Sequence, residues 1–207
     1  RSVDKICHRM ELGKDTYTLG KIRPEMEEEL CRVLADFVRI MEGYRVDDYR
    51  ATASSAISEA SNSLYVLGKI HQLTGFSVTV LSNSEQRFLS YKALAAMEDN
   101  FNKIIEKGTA ILDLDGGSFQ ISLFDKDALV TTQNIRMGSL RIRERLAGIQ
   151  SETEHYEEMV EELIWNEVSS FKKMYLKDRK IENIMLIGDV FTDSVYQNIE
   201  EKTTKII

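Results

Sequence analysis

The sequence predicts an α/β fold with parallel strand pairings. Short β-branched and aliphatic runs alternate with amphipathic stretches of helical period along most of the chain. Glycines punctuate the joins, and two strands of alternating pattern meet at Asp115-Gly116-Gly117-Ser118.

The first clear element follows Pro24, the one proline of the chain. Proline is tolerated in a first helical turn, where Glu25, Glu27 and Glu28 also suit the positive end of the helix dipole. Met26, Leu30, Val33, Leu34, Phe37 and Met41 recur at helical spacing up to Gly43, so this is a helix with one buried face. A strand is expected over 46–53, a helix over 63–74 ending at Gly75, a strand over 76–81 and a helix over 84–97. Strands over 110–114 and 119–124 flank the Asp-Gly-Gly-Ser turn, a third runs over 129–137, and Gly138 opens a short helix. An amphipathic helix spans 152–175, with Val160, Leu163, Ile164, Val168 and Phe171 inward. A short buried strand at 184–187 and a helix from about Thr192 complete the series. The polar stretch 98–108 is the best place for a hinge-like domain boundary.

The 207 residues suffice for one large or two small hydrophobic cores. Lys plus Arg number 27 against 34 Asp plus Glu, a formal charge of −7 with no basic block, which argues against a duplex nucleic acid or membrane partner. Cys7 and Cys31 have neither metal-ligand nor redox spacing and read as reduced cytoplasmic thiols. No apolar run approaches the roughly 18 residues of a membrane span, and no secretory leader is visible.

Four segments carry chemistry. In 112–120 the Asp-Gly turn is a strong hairpin signal, yet its glycines would also let backbone N–H groups approach a phosphate. In 54–62, small hydroxyl residues leave a strand and enter a helix, suiting either capping or a phosphate at a helix N-terminus. Residues 80–86 leave a strand for a helix, with Ser82 or Ser84 as the cap and Glu85 in the first turn. Residues 135–143 read as a strand, a glycine and a helix with solvated arginines.

In this order the segments resemble the exopolyphosphatase/guanosine pentaphosphatase (Ppx/GppA) family, part of the actin, heat-shock ATPase and sugar kinase superfamily. The family pattern runs T-S-A-(L)-R-E-A-x-N, I-S-G-x-x-E-A, D-I-G-G-G-S-T-E and (L)-G-(A)-(V)-R-(L). Here these fall on 54–62, 81–87, 113–120 and 137–142, and Leu12-Gly13 and Gly20-Lys21-Ile22 match upstream. The resemblance implies two ribonuclease H-like (actin-like ATPase) domains with a cleft between them, both partial. Residues 1–107 would be the remainder of the N-terminal domain and 108–207 the second. The family's first phosphate loop, Asp-x-Gly-Ser, would precede Arg1, so the chain reads as a fragment. Members hydrolyse the terminal phosphoanhydride of inorganic polyphosphate or guanosine pentaphosphate, usually with Mg²⁺ and often as homodimers. Carried over by position, Asp113 is the metal carboxylate, while Ser58, Asp115, Gly116, Gly117 and Ser118 are phosphate-binding positions. Gln86 holds the place of the general base with Glu85 beside it, and Gln120 that of a second carboxylate.

The chain departs from the pattern at these positions. The arginine of R-E-A is Ser58, the two carboxylates are Gln86 and Gln120, the first glycine of the triplet is Asp115, and an expected late glycine pair reads Gly188-Asp189. Losing a general base typically costs roughly 10²–10⁴ in rate, and losing a phosphate-stabilising arginine about 10³–10⁵. Glu85 does not simply replace position 86, because one helical residue turns it away by about 100°. A counter-reading lets Glu85, Asp113 and Asp115 hold the metal together. The expectation is a weakened or inactive relative that binds polyphosphate or a guanine nucleotide, with a non-catalytic scaffold as the alternative.

Overall fold

The computed structural model describes residues 4–149, 154–188 and 204–206, the last as backbone only. The chain divides into two compact units, 1–86 and 87–207.

In the first unit, α1 (Leu12–Leu19), a helix not among those expected from the sequence, ends on Gly20 in the left-handed conformation, and α2 (Pro24–Gly43) begins on Pro24, as expected. After them come β1 (Ala51–Ala53), the single turn α3 (Ser55–Ser58), α4 (Ser63–Thr74) and β2 (Val78–Val80). The core gathers Ile22, Cys31, Ile57, Val66, Ile70 and Phe76. Glu27 on α2 is only 3% exposed, and Lys69 on α4 places Nζ 2.5 Å from its Oε1. A buried charge needs such a partner. The bond to Glu27 in turn raises the Lys69 pKa. Buried Asp15 accepts the backbone N–H and Nε–H of Arg23, both at 2.9 Å, and so fixes the α1–α2 corner.

β1 is shorter than the 46–53 strand expected. Arg45 has φ +52°, residues 44–50 are exposed, and β1 meets β2, in parallel, over only three pairs from Ala51↔Val78. Tyr49 instead donates its hydroxyl to Gly75 O and accepts from Ser77 N–H, both at 3.2 Å.

The second unit is a mixed five-stranded sheet. Its strands are β3 (Thr109–Leu114), β4 (Phe119–Asp125), β5 (Ala128–Ile135), β6 (Asn183–Gly188) and β7 (Thr204–Ile206), in the order β5-β4-β3-β6-β7. β3–β6 and β6–β7 are parallel, whereas β3–β4–β5 is an antiparallel meander. Side chains alternate between faces. One face packs Ile111, Phe124 and Met185 against α5 (Asn83–Met97) and α6 (Phe101–Ile105), through Leu94, Phe101 and Ile105. The other packs Phe119, Ile121 and Leu123 against Val168 and Phe171 of α8 (Tyr156–Tyr175).

The polar stretch 98–108 thus holds a helix whose Phe101 and Ile105 are buried on the second sheet, and the compact units part earlier, between Gln86 and Arg87. α7 (Ser139–Leu146) follows Gly138 as expected. α8 begins at Tyr156, later than the helix expected from 152; residues 152–153, Asp189 and the helix expected from Thr192 lie outside the described residues.

Candidate functional site

The site begins with strand register. β3 and β4 pair Asp113 with Gln120, and β4 and β5 pair Gln120 with Asn134. Directly paired residues share a face, so the three side chains form one row across three strands. Gln120 is 8% exposed. Ser90, on α5 above this face, donates its hydroxyl to Asp113 Oδ2 at 2.9 Å. Two residues along the strands, Ser122 and Thr132 form the next row, 3.2 Å apart. Tyr91 donates to Ser122 Oγ at 2.6 Å and Arg87 to Thr132 Oγ1 at 2.9 Å. Burial pushes the Tyr91 phenol pKa up, against its hydrogen bonds to Ser122 and Thr132. α5 is thereby fixed over the row that holds Asp113.

The β3–β4 turn is closed by its own polar groups. Asp115 Oδ1 accepts the N–H groups of both Gly117 and Ser118, each at 2.6 Å. Its N–H bonds Ser118 O at 3.1 Å, and its carbonyl accepts from Ser139 N–H at the start of α7. Arg141 donates its backbone N–H to Gly116 O at 3.0 Å and Nε–H to Gly117 O at 2.8 Å. The expectation of solvated arginines in 135–143 is corrected for Arg141, which braces the turn. Gly138 is a steric requirement: a Cβ there would lie 2.4 Å from Ser118 N and 2.5 Å from Asp115 O. At the same sheet end, a Cβ on Gly188 would lie 2.1 Å from Leu114 O. The cavity of about 760 Å³ beside the turn is lined mainly by apolar side chains, among them Leu114, Phe119, Met137, Val160 and Ile164, together with Asp115, Ser139 and Lys172.

The remaining candidates lie in the first unit. Ser58 is exposed at the end of the four-residue α3, its N–H bonded to Ser54 O. Thr16 donates to Ala56 O at 2.6 Å, and Asn62 bonds both backbone groups of Ile22 at 3.0 and 2.8 Å. The match at 54–62 and the upstream Gly20-Lys21-Ile22 thus describe one tied structural unit. Glu85 Oε2 accepts the N–H and the hydroxyl of Ser82 at 2.8 and 2.7 Å, while Ser82 Oγ accepts Glu85 N–H at 3.2 Å. This is a reciprocal capping box, and the Ser82 bonds, backbone first, lower the Glu85 pKa. Gln86, in the first turn of α5, has a buried Nε2 without a hydrogen-bond acceptor among the described residues.

The structure thus brings together Asp113, Gln120 and the 115–118 turn on the second unit, and places Ser58, Glu85 and Gln86 on the first. Among the described residues no group of three His, Cys, Asp or Glu gathers for a metal. The row offers one carboxylate, Asp113, beside the carboxamide of Gln120 and the buried, donor-less Oδ1 of Asn134. Such an oxygen set fits Mg²⁺ that takes one or two protein carboxylates and its other ligands from substrate phosphate and water. Sequence reasoning missed Ser90, although it stands four residues after Gln86, the spacing of one helix face.

Comparison with known proteins adds an independent line. The model of the Ppx/GppA phosphatase family matches residues 2–206. The chain is 21% identical over 211 residues to a bifunctional 3-dehydroquinate synthase/phosphatase of Fusobacterium nucleatum, a match covering 98% of this chain and 30% of that one. It is 27% identical over 114 residues to exopolyphosphatase 1 of Mycobacterium leprae, covering 55% of this chain and 32% of that one. The chain therefore spans about a third of the length of these curated relatives. A crystal structure of an exopolyphosphatase-like protein shares the fold at a TM-score of 0.70 and 18% identity, over 89% of this chain and 57% of that one.

Proposed function

The chain belongs to the Ppx/GppA phosphatase family, and from that membership we propose that it binds a condensed-phosphate ligand, inorganic polyphosphate or guanosine pentaphosphate, with turnover far below that of an intact phosphohydrolase. The pairing of Asp113 with Gln120 carries this reading. The scaffold still presents a carboxylate braced by Ser90, but the position directly across from it is a neutral carboxamide. A carboxamide keeps the shape of glutamate and can neither accept a proton from water nor add charge to a metal. Mg²⁺ would be held by Asp113 together with phosphate oxygens of the ligand, and would neutralise charge on them. Gln86 and Ser58 remove a second carboxylate and a cation at the family's positions. Free thiols at Cys7 and Cys31 support a cytoplasmic setting.

Calorimetry with polyphosphate and with guanosine pentaphosphate in Mg²⁺, alongside phosphate release, tests the reading. Binding is expected, with release close to that of Asp113→Ala. Release far above that control would overturn the weakened turnover, and no binding at millimolar ligand would overturn the phosphate assignment. The combined variant Ser58→Arg, Gln86→Glu, Asp115→Gly and Gln120→Glu is expected to raise release by about 10² or more. One observation favours a second reading, a protein-interaction scaffold or homodimer: Trp165 on α8 is 59% exposed. That reading alone survives if no phosphorylated ligand binds.

A further inference from the structure

On the phosphate-ligand reading above, we propose that Asp115 is a built-in occupant of the β3–β4 turn, its carboxylate seated on the amides that a phosphate oxygen would otherwise take. On charge alone, an aspartate where the family pattern has glycine would repel an anion. The geometry shows a different and more specific effect. A single oxygen, Asp115 Oδ1, receives the N–H groups of Gly117 and Ser118, both at 2.6 Å. Two successive backbone N–H groups converging on one anionic oxygen are the arrangement by which glycine-rich turns hold phosphate. The donors are therefore present and already satisfied from within.

The frame around them is held independently of that carboxylate. Arg141 binds the Gly116 and Gly117 carbonyls. The Gly138 backbone lies so close to Ser118 and Asp115 that no Cβ fits. Gly116 and Gly117, whose missing side chains let a ligand approach, are both retained. Removing the carboxylate should then vacate the two donors without dismantling the turn. A ligand reaches Gly117 and Ser118 only by displacing two charge-assisted hydrogen bonds, so Asp115 sets the turn's affinity for phosphate by occupancy.

Occupancy and repulsion make opposite predictions for one variant. Asp115→Asn removes the charge but keeps an acceptor oxygen in the same place. Asp115→Gly removes both. The test is titration of the wild type and both variants with tripolyphosphate, reading the Gly117 and Ser118 amide resonances by NMR and the overall affinity by calorimetry. Occupancy predicts that these two amides respond in Asp115→Gly and not in the wild type or Asp115→Asn, with affinity gained at least about tenfold in the glycine variant. An equal response in Asp115→Asn and Asp115→Gly would mean repulsion and overturn the proposal. A response in the wild type as large as in Asp115→Gly, or none at these amides in a folded Asp115→Gly, would overturn it too. The parent reading is judged separately: wild-type binding with silent turn amides in every form keeps the phosphate-ligand assignment and sinks the occupant. A turn that responds only in Asp115→Gly, with no ligand bound by the wild type, does the reverse.

Discussion

At Asp15, burial would raise the pKa, but the hydrogen bonds from Arg23 and its positive charge outweigh it and leave the carboxyl below its ordinary value. A carboxylate with a depressed folded pKa contributes stability above the ordinary carboxylate range and loses it as the pH falls through and beneath that range. Asp15→Asn should accordingly flatten the acid limb of the stability curve, read from denaturation midpoints between neutral and acidic pH. Ser90 likewise donates to a carboxylate, that of Asp113. Ser90→Ala should cost about 1 kcal/mol of stability and, on the proposed function, should weaken ligand binding in Mg²⁺ by removing one of the hydrogen bonds that orient Asp113, measured by calorimetry with and without Mg²⁺. The candidate residues on the motif strings were readable from sequence; their present occupations were not. Glu85 was placed in a first helical turn with Ser82 or Ser84 as the cap, and the structure selects Ser82. Asp115 was legible as a replaced glycine of the motif, and only coordinates show its oxygen on two amides.

Between elements, the informative contact is the seat of α7 on the β3–β4 turn. Gly138→Ala would drive a methyl group into the backbone of Ser118, Asp115 and Gly116 at about 2.5 Å. Overpacking of this kind typically costs about 1–3 kcal/mol. Thermal melting should show the loss, and changed Gly117 and Ser118 amide resonances should show that the turn has shifted. Elements whose pattern is local came through with nearly their expected bounds, including α4 with Gly75 at its end and α2 from Pro24. β1 did not, because a strand's length is set by the partner it meets, and β2 reaches only as far as Ala51. The 98–108 stretch is mostly polar, and two of its side chains, Phe101 and Ile105, dock α6.

Across the whole chain, each unit packs its own apolar interior, and the second has one cluster on each face of its sheet, around Ile111 on one and Leu123 on the other. Leu123→Ala should cost about 2–5 kcal/mol in unfolding experiments. Hydrogen exchange should locate the loss over β3, β4 and β5 while α2 and α4 keep their protection. Family membership, the α/β alternation and the positions of the replaced site residues follow from the sequence by itself, because motif order and hydrophobic period are properties of neighbouring residues along the chain. The Asp113–Gln120–Asn134 row, the Ser90 brace and the need for glycine at position 138 were decided by tertiary structure. Each depends on strand register or on the approach of segments distant in sequence, and neither is encoded in a local pattern.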